Sequence, residues 1–164
     1  MFLQIQDWKL DVDLTATMAY SAAEAAEHCD CAYCRNFYAA VDPRLRSYLT
    51  QFGLDVEAPD ALYPYDLPDG RMLYEGEYVV FGRILEAGEE PLVPDPGSSA
   101  VIMPQRSDVY DHSQPYFVLS LEGVVLPWLL EEPLGEVVSP ANDPEFLEQM
   151  RDKLLEKAES NTPT

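Results

Sequence analysis

The sequence predicts an α+β fold in which a mainly antiparallel sheet of about five to six strands packs against two or three helices. Three observations lead to this class: an alternating apolar and polar segment near the N-terminus, helix-start signatures that combine a capping residue with proline, and short β-rich segments separated by turn dipeptides. The 164 residues match the usual size of one domain. We therefore expect a single domain over residues 1–159 and a frayed tail over residues 160–164.

The first predicted element is a strand over residues 8–14, where apolar side chains alternate with polar ones. This alternation has the period of two that places one set of side chains on the buried face of a sheet. The apolar residues Leu3 and Ile5 stand at odd-numbered positions, whereas those of the segment 8–14 stand at even-numbered positions. The change of parity predicts a bulge or bend near Gln6 and Asp7.

Two helices follow this strand in the prediction. Ser21 and Glu24 have the spacing of a capping box, and the alanine-rich residues after Ser21 predict a short helix over residues 22–27. Asp42 followed by Pro43 indicates the start of a second helix, whose apolar stripe continues to residue 52. Gly53 is placed to end that helix in the left-handed conformation.

The middle of the chain changes to short strands separated by turns. The dipeptides at 69–70 and 75–76 are suited to tight turns, and the proline-rich residues 91–99 predict a surface loop. Asp143 followed by Pro144 repeats the capping signature and predicts a last helix that runs to about Lys157. The predicted strands of this half cover residues 61–65, 71–74, 77–85, 100–103, 116–121 and 124–126.

The charge balance is the extreme feature of the composition, since 30 acidic and 10 basic residues give a formal net charge of −20. A field of this sign repels phosphate backbones and anionic lipid, so we expect neither nucleic acid nor membrane as a partner. The chain has no apolar run near the ~20 residues that span a bilayer, and its start lacks the pattern of a secretory signal. We therefore expect a cytoplasmic protein.

These properties favour a non-enzymatic binding or protein-interaction module whose partner is another protein, and a basic one by charge. An immunity-like or antitoxin-like role suits a small acidic chain, because many toxic enzymes are basic and electrostatic steering speeds their capture. Tyr63, Tyr65, Tyr74 and Tyr78 lie on the predicted strands and form a candidate binding face. Half-buried tyrosines with solvated hydroxyls explain the same pattern without a ligand.

The alternative hypothesis is a zinc- or thiol-dependent protein that uses residues 28–34. Its candidate metal ligands are His28, Cys29, Cys31 and Cys34, because thiolates and imidazole are the donors that zinc prefers, usually four in a tetrahedral array. Cys31 and Cys34 have the spacing of one zinc knuckle, and the sequence contains no second knuckle. The cofactor prediction is therefore either none or zinc.

Two other interpretations of the cysteines stay open. Cys31 and Cys34 also have the spacing of a redox or nucleophilic thiol pair, since a helix N-terminus stabilises a thiolate. Equally, the cysteines can pack as small apolar side chains on one helix face. A weaker constellation, Asp108, Asp111 and His112, has the donors to bind a cation or to orient the imidazole.

The run Cys29-x-Cys31-x-x-Cys34-Arg35 resembles the Cys-x-Cys-x-x-Cys-Arg segment of the glutathione-dependent formaldehyde-activating enzyme family. Members of that family are zinc-binding carbon–sulfur lyases, so the resemblance implies zinc ligation by these thiols. They also carry an earlier Cys-x-Cys pair, whereas this chain has no cysteine before position 29. The resemblance thus lacks half of the family's zinc chemistry, and the lyase activity is not expected here.

Overall fold

The structure, a computed structural model, describes residues 1–105 and 110–131. Within these residues it contains three helices and one seven-stranded antiparallel sheet, which confirms the predicted α+β class and adds one strand to the expected sheet. The helices are α1 (Leu14–Ala26), α2 (Ala32–Ala40) and α3 (Pro43–Thr50). The strands are β1 (Phe2–Ile5), β2 (Trp8–Val12), β3 (Ala61–Asp66), β4 (Met72–Glu86), β5 (Leu92–Asp95), β6 (Ser98–Met103) and β7 (Tyr116–Leu126).

The sheet is organised around the long strand β4. The strand order is β1-β2-β4-β7-β6-β5, and β3 also pairs with β4. β7 lies along one edge of β4, whereas β3 and β2 pair with successive parts of the opposite edge. One strand therefore connects every part of the sheet.

Side chains complete the edge of β4 in the gap between β3 and β2. The Val79 amide donates to Oδ2 of Asp60 (2.7 Å), and the Phe81 amide donates to Oγ1 of Thr17 (3.0 Å). The Phe81 carbonyl accepts from the amide of Asp13 (2.9 Å). Because buried backbone groups without a partner are costly, these contacts fix α1 and the start of β3 against the sheet.

Two apolar clusters lie on opposite faces of the sheet, since successive side chains of a strand alternate. The larger cluster contains Val80 of the sheet together with Phe37 from α2 and Leu45 from α3. The smaller one contains Phe81, against which Tyr20 of α1 packs. The helix that follows the cysteine segment is thus anchored on the main core.

The N-terminal predictions need two corrections. Helix α1 begins at Leu14, because Oδ1 of Asp13 accepts from the Ala16 amide (3.0 Å) and caps it there. Ser21 therefore lies inside α1 and not at its start. Its hydroxyl accepts a hydrogen bond from the Asp55 amide (2.8 Å). The bend predicted near residues 6 and 7 is instead the hairpin turn between β1 and β2, with Gln6 at φ 53°.

The signals around α3 are confirmed. Pro43 occupies the first helical position, and Oδ1 of Asp42 accepts from the Arg44 amide (2.8 Å). Gly53 follows the helix at φ 83°, the left-handed conformation that favours glycine. The turn predicted at residues 69–70 is also present, with Gly70 at φ 84°.

The middle of the chain contains longer strands than predicted. Gly76 and Gly123 lie inside β4 and β7, where the register of the two strands shifts, so neither ends a strand. The predicted loop at 91–99 is wrong, because residues 92–95 form β5, residues 96–97 are a turn and β6 begins at residue 98. Pro94 is tolerated because β5 is an edge strand. The predicted last helix and the tail at 160–164 lie outside the described residues.

Candidate metal centre

The structure brings the three cysteines together immediately before and within the first turn of α2. Their sulfur atoms all lie within 4.8 Å of one another. Cys29 is exposed, whereas Cys31 and Cys34 are partly buried against the larger apolar cluster. Zinc bonds to sulfur of about 2.3 Å place tetrahedral sulfur ligands about 3.8 Å apart. A small closing movement therefore suffices to bring the three sulfurs onto one ion.

The start of α2 explains why these side chains converge. Cys31 is the N-cap residue, with an extended backbone (φ −64°, ψ 160°), and its carbonyl accepts from the Arg35 amide (2.9 Å). Cys34 follows in the first turn of the helix. The Arg35 side chain donates through Nε to the Asp30 carbonyl (2.7 Å), which holds the preceding turn against the helix. The spacing of Cys29, Cys31 and Cys34 thus places three thiol groups close together at the N-terminus of α2.

The two ends of the cluster differ in acidity. A hydrogen bond from the Cys31 backbone amide lowers the pKa of the exposed Cys29 thiol. Burial, reinforced by the neighbouring Cys31 and Cys29 thiols, raises the pKa of Cys34 well above its ordinary range. A bound cation would favour the thiolate form of all three groups, because ligand deprotonation and metal binding are coupled.

His28, the fourth predicted ligand, lies beside the thiol cluster and not within it. Its ring stacks on Tyr38, with 4.8 Å between the ring centroids and 14° between the planes. The Tyr38 hydroxyl donates to the Cys29 carbonyl (3.3 Å). Burial, together with the Cys34 and Cys29 thiols, raises the pKa of Tyr38 well above its usual value. The Tyr38 side chain therefore connects His28 to the cluster.

Asn36, which was not among the residues predicted to be functional, is fully buried on α2. Its Nδ2 donates to the Pro127 carbonyl (3.1 Å) and the Tyr74 hydroxyl (3.3 Å), and its Oδ1 accepts from the Leu129 amide (2.7 Å). This amide side chain ties the cysteine-bearing helix to β4 and to the chain after β7. The sequence signal that could have identified Asn36 is an amide side chain on a helix face whose other side chains are aromatic.

The tyrosine face predicted for the strands is divided between core and surface. Tyr74 and Tyr78 are fully buried and donate from their hydroxyls to the carbonyls of Tyr33 (2.8 Å) and Val56 (2.7 Å). Tyr63 keeps 46 % of its surface exposed. The four tyrosines therefore do not form one binding face.

The weaker constellation around His112 is also reorganised. The His112 ring is edge-on to three aromatic rings at 5.1–5.2 Å, those of Tyr20, Phe81 and Tyr116. The carboxylate on which it acts electrostatically is Asp60, which accepts a hydrogen bond from Tyr20. Burial raises the pKa of Asp60 despite these interactions. The packing indicates a structural role for His112, and Asp108 lies outside the described residues.

No family model, curated protein or solved structure matches this chain. The resemblance of residues 29–35 to formaldehyde-activating enzymes therefore has no support from a family match. Across residues 1–105 and 110–131, none of the helices has the length and apolar character needed to cross a membrane.

Proposed function

We propose that the protein binds one zinc ion through Cys29, Cys31 and Cys34, with His28 as the fourth ligand. The observation that carries the proposal is the convergence of three sulfur donors within 4.8 Å. Soft thiolates select zinc, copper(I) and iron–sulfur clusters over magnesium or calcium, and a tetrahedral set of sulfur and imidazole donors is typical of zinc.

The packing of the thiols favours metal binding over the other two interpretations. Core packing does not require an exposed residue, yet Cys29 is exposed and its sulfur still joins the group. A redox pair requires two thiols, whereas three converge here. Cys31 and Cys34 lie at the N-terminus of α2, where the helix dipole favours thiolates.

His28 can complete the site because it directly precedes Cys29 in the chain. Coordination would require its ring to leave the stack on Tyr38. Aromatic stacking of this kind contributes about 1 kcal/mol, whereas structural zinc sites bind with about 10–16 kcal/mol. Loss of the stack therefore removes only a small part of the free energy that a complete zinc site supplies.

Such a centre would stabilise the connection between α1 and α2. Residues 28–30 have no regular secondary structure, and they join the helix that packs on the main core to the helix that packs on the opposite face. A zinc ion held by His28 and Cys29 of this connection and by Cys31 and Cys34 at the start of α2 would fix the conformation of the connection. This is the expected role of a structural site in which all coordination positions are occupied by protein.

Metal content tests the proposal directly. Protein purified without chelator, or reconstituted with zinc after reduction, should hold about one equivalent of zinc. Loss of a group that only supports a metal ligand typically weakens metal binding about 10–100-fold. We expect Cys31→Ser and Cys29→Ser each to weaken zinc binding by more than this, because each substitution removes a ligand. His28→Ala should weaken it as well, while His112→Ala, the matched histidine control, should leave it unchanged.

A second candidate function is the acidic interaction module, and a specific observation supports it. Lys9, Arg44 and Arg71 form ion pairs with neighbouring carboxylates at 2.6–2.7 Å. These cations are therefore engaged locally within a chain of net charge −20. A basic protein is the partner that this field would attract, as in an immunity-like or antitoxin-like role in the cytoplasm.

Salt dependence tests this second function. We expect capture of a basic protein partner from a native lysate to weaken steeply as ionic strength rises from about 0.05 to 0.5 M, because the screening length falls below about 10 Å. Quantitative binding of the eluted partner at the two salt concentrations is the measurement. Capture that is unchanged at high salt would contradict electrostatic recognition.

A further inference from the structure

We infer that the sulfurs of Cys29, Cys31 and Cys34 alone form a complete site for a three-coordinate thiophilic ion, trivalent arsenic supplied as arsenous acid. The inference rests on the proposed function in one respect, that the three thiols act together on one ion. It differs from zinc binding in ligand number, because His28 takes no part. That difference makes the two separable by experiment.

The donor set of the cluster suits a three-coordinate ion. Among the described residues, the group of converging donor atoms consists of sulfur only, with no carboxylate and no imidazole. Trivalent arsenic forms three bonds in a pyramid, and its lone pair takes the fourth position. Three thiols on one helix terminus therefore satisfy it, whereas zinc requires a further ligand.

The position of His28 also favours a three-coordinate ion over zinc. Its ring is already stacked on Tyr38, and the Tyr38 hydroxyl is bonded to the Cys29 carbonyl. Zinc needs this arrangement to open, whereas a three-coordinate ion leaves it intact. The exposed side of the cluster, where Cys29 lies, gives the ion access from solvent.

The charge of the product complex likewise favours trivalent arsenic over zinc. The exchange is As(OH)₃ + 3 Cys–SH → As(S–Cys)₃ + 3 H₂O: three As–O bonds break, three As–S bonds form, each thiol proton leaves in water, and no atom changes oxidation state. The product is neutral. Zinc with three thiolates leaves one negative charge on a partly buried group within a chain of net charge −20. A neutral complex avoids that burial cost.

Arsenite titration of the reduced, metal-free full-length protein tests the inference, with remaining free thiols counted by a chromogenic disulfide reagent. We expect one equivalent of arsenite to protect all three cysteines. Phenylarsine oxide, which has two exchangeable positions, should protect two. Cys29→Ser, at an exposed site that should leave the fold intact, is expected to weaken arsenite binding about 100-fold, since one of three linked contacts is lost.

His28→Ala separates the inference from the proposed function. We expect it to leave arsenite affinity unchanged while it weakens zinc binding. Protection of only two thiols by arsenite, or equal arsenite affinity in Cys29→Ser and the parent, would overturn the inference even if zinc binds. Protection of three thiols in a protein that takes up no zinc would support the inference and refute the zinc centre.

Discussion

Replacement of Asn36 by alanine is expected to lower the free energy of unfolding by about 2–4 kcal/mol. The side chain is fully buried and makes three hydrogen bonds, including those to the Pro127 carbonyl and the Leu129 amide. Its removal deletes the buried hydrogen bond to the Tyr74 hydroxyl and the two partly buried hydrogen bonds to these backbone groups, and each hydrogen bond contributes about 1 kcal/mol. The effect should also loosen α2, on which the cysteines are positioned.

Urea denaturation of the metal-free protein measures this change. Ser47→Ala, a substitution at an exposed position of the neighbouring helix α3, is the control and should stay within about 0.5 kcal/mol of the parent. An Asn36→Ala variant as stable as Ser47→Ala would show that these hydrogen bonds are replaced by water and that Asn36 does not anchor α2.

Zinc is expected to stabilise the folded protein by about 4 kcal/mol when its free concentration is about 1,000 times its dissociation constant. The reason is that the folded chain holds the thiols close together, so zinc stabilises the fold by the difference between its binding free energies to the folded and unfolded chains. In Cys34→Ser this increment should fall to near zero. The thermal midpoint with zinc minus the midpoint with a chelator is the measurement.

The difference between the two midpoints separates the stabilisation by zinc from the effect of the Cys34 substitution on packing. Cys34 is partly buried against the core, so its substitution also changes the stability of the metal-free protein. The zinc increment cancels that change because both midpoints come from the same variant. Equal increments in the parent and in Cys34→Ser would place zinc elsewhere on the chain.

The fold could be predicted where the determining interactions are local. Asp42, Pro43 and Gly53 fix the ends of α3 within a few residues of sequence, and the structure confirms these signals. The start of α1 was missed because Ser21 and Glu24 imitate a capping box, while the true cap, Asp13, continues the alternation of the preceding strand. The cap at Asp13 is supported by the pairing of its own amide with Phe81, which is distant in sequence.

Strand length could not be predicted for the same reason. Gly76 and Gly123 resemble turn residues in isolation, yet they lie near facing irregularities of β4 and β7. A glycine in a bulge and a glycine in a turn differ only in the strand opposite, which the local sequence does not encode. Some of the tyrosines are buried and others are exposed because the pairing register of their strands decides which face each side chain occupies. That register is set by the whole sheet and not by the local sequence.

The candidate site shows the same division. The proximity of Cys29, Cys31 and Cys34 follows from their spacing around a helix start, so the sequence identified the donors. The orientation of His28 depends on Tyr38, which lies about two helical turns after the start of α2. The role of Asn36 depends on partners 91 and 93 residues away, beyond any local pattern.

X-ray absorption at the zinc edge of the reconstituted full-length protein tests the central claim most directly, because it counts the ligands of the ion itself. The proposed centre predicts three sulfur neighbours at about 2.3 Å and one nitrogen at about 2.0 Å, with the nitrogen lost in His28→Ala. A zinc shell of oxygen and nitrogen only, or one with fewer than three sulfurs, would contradict the proposed centre.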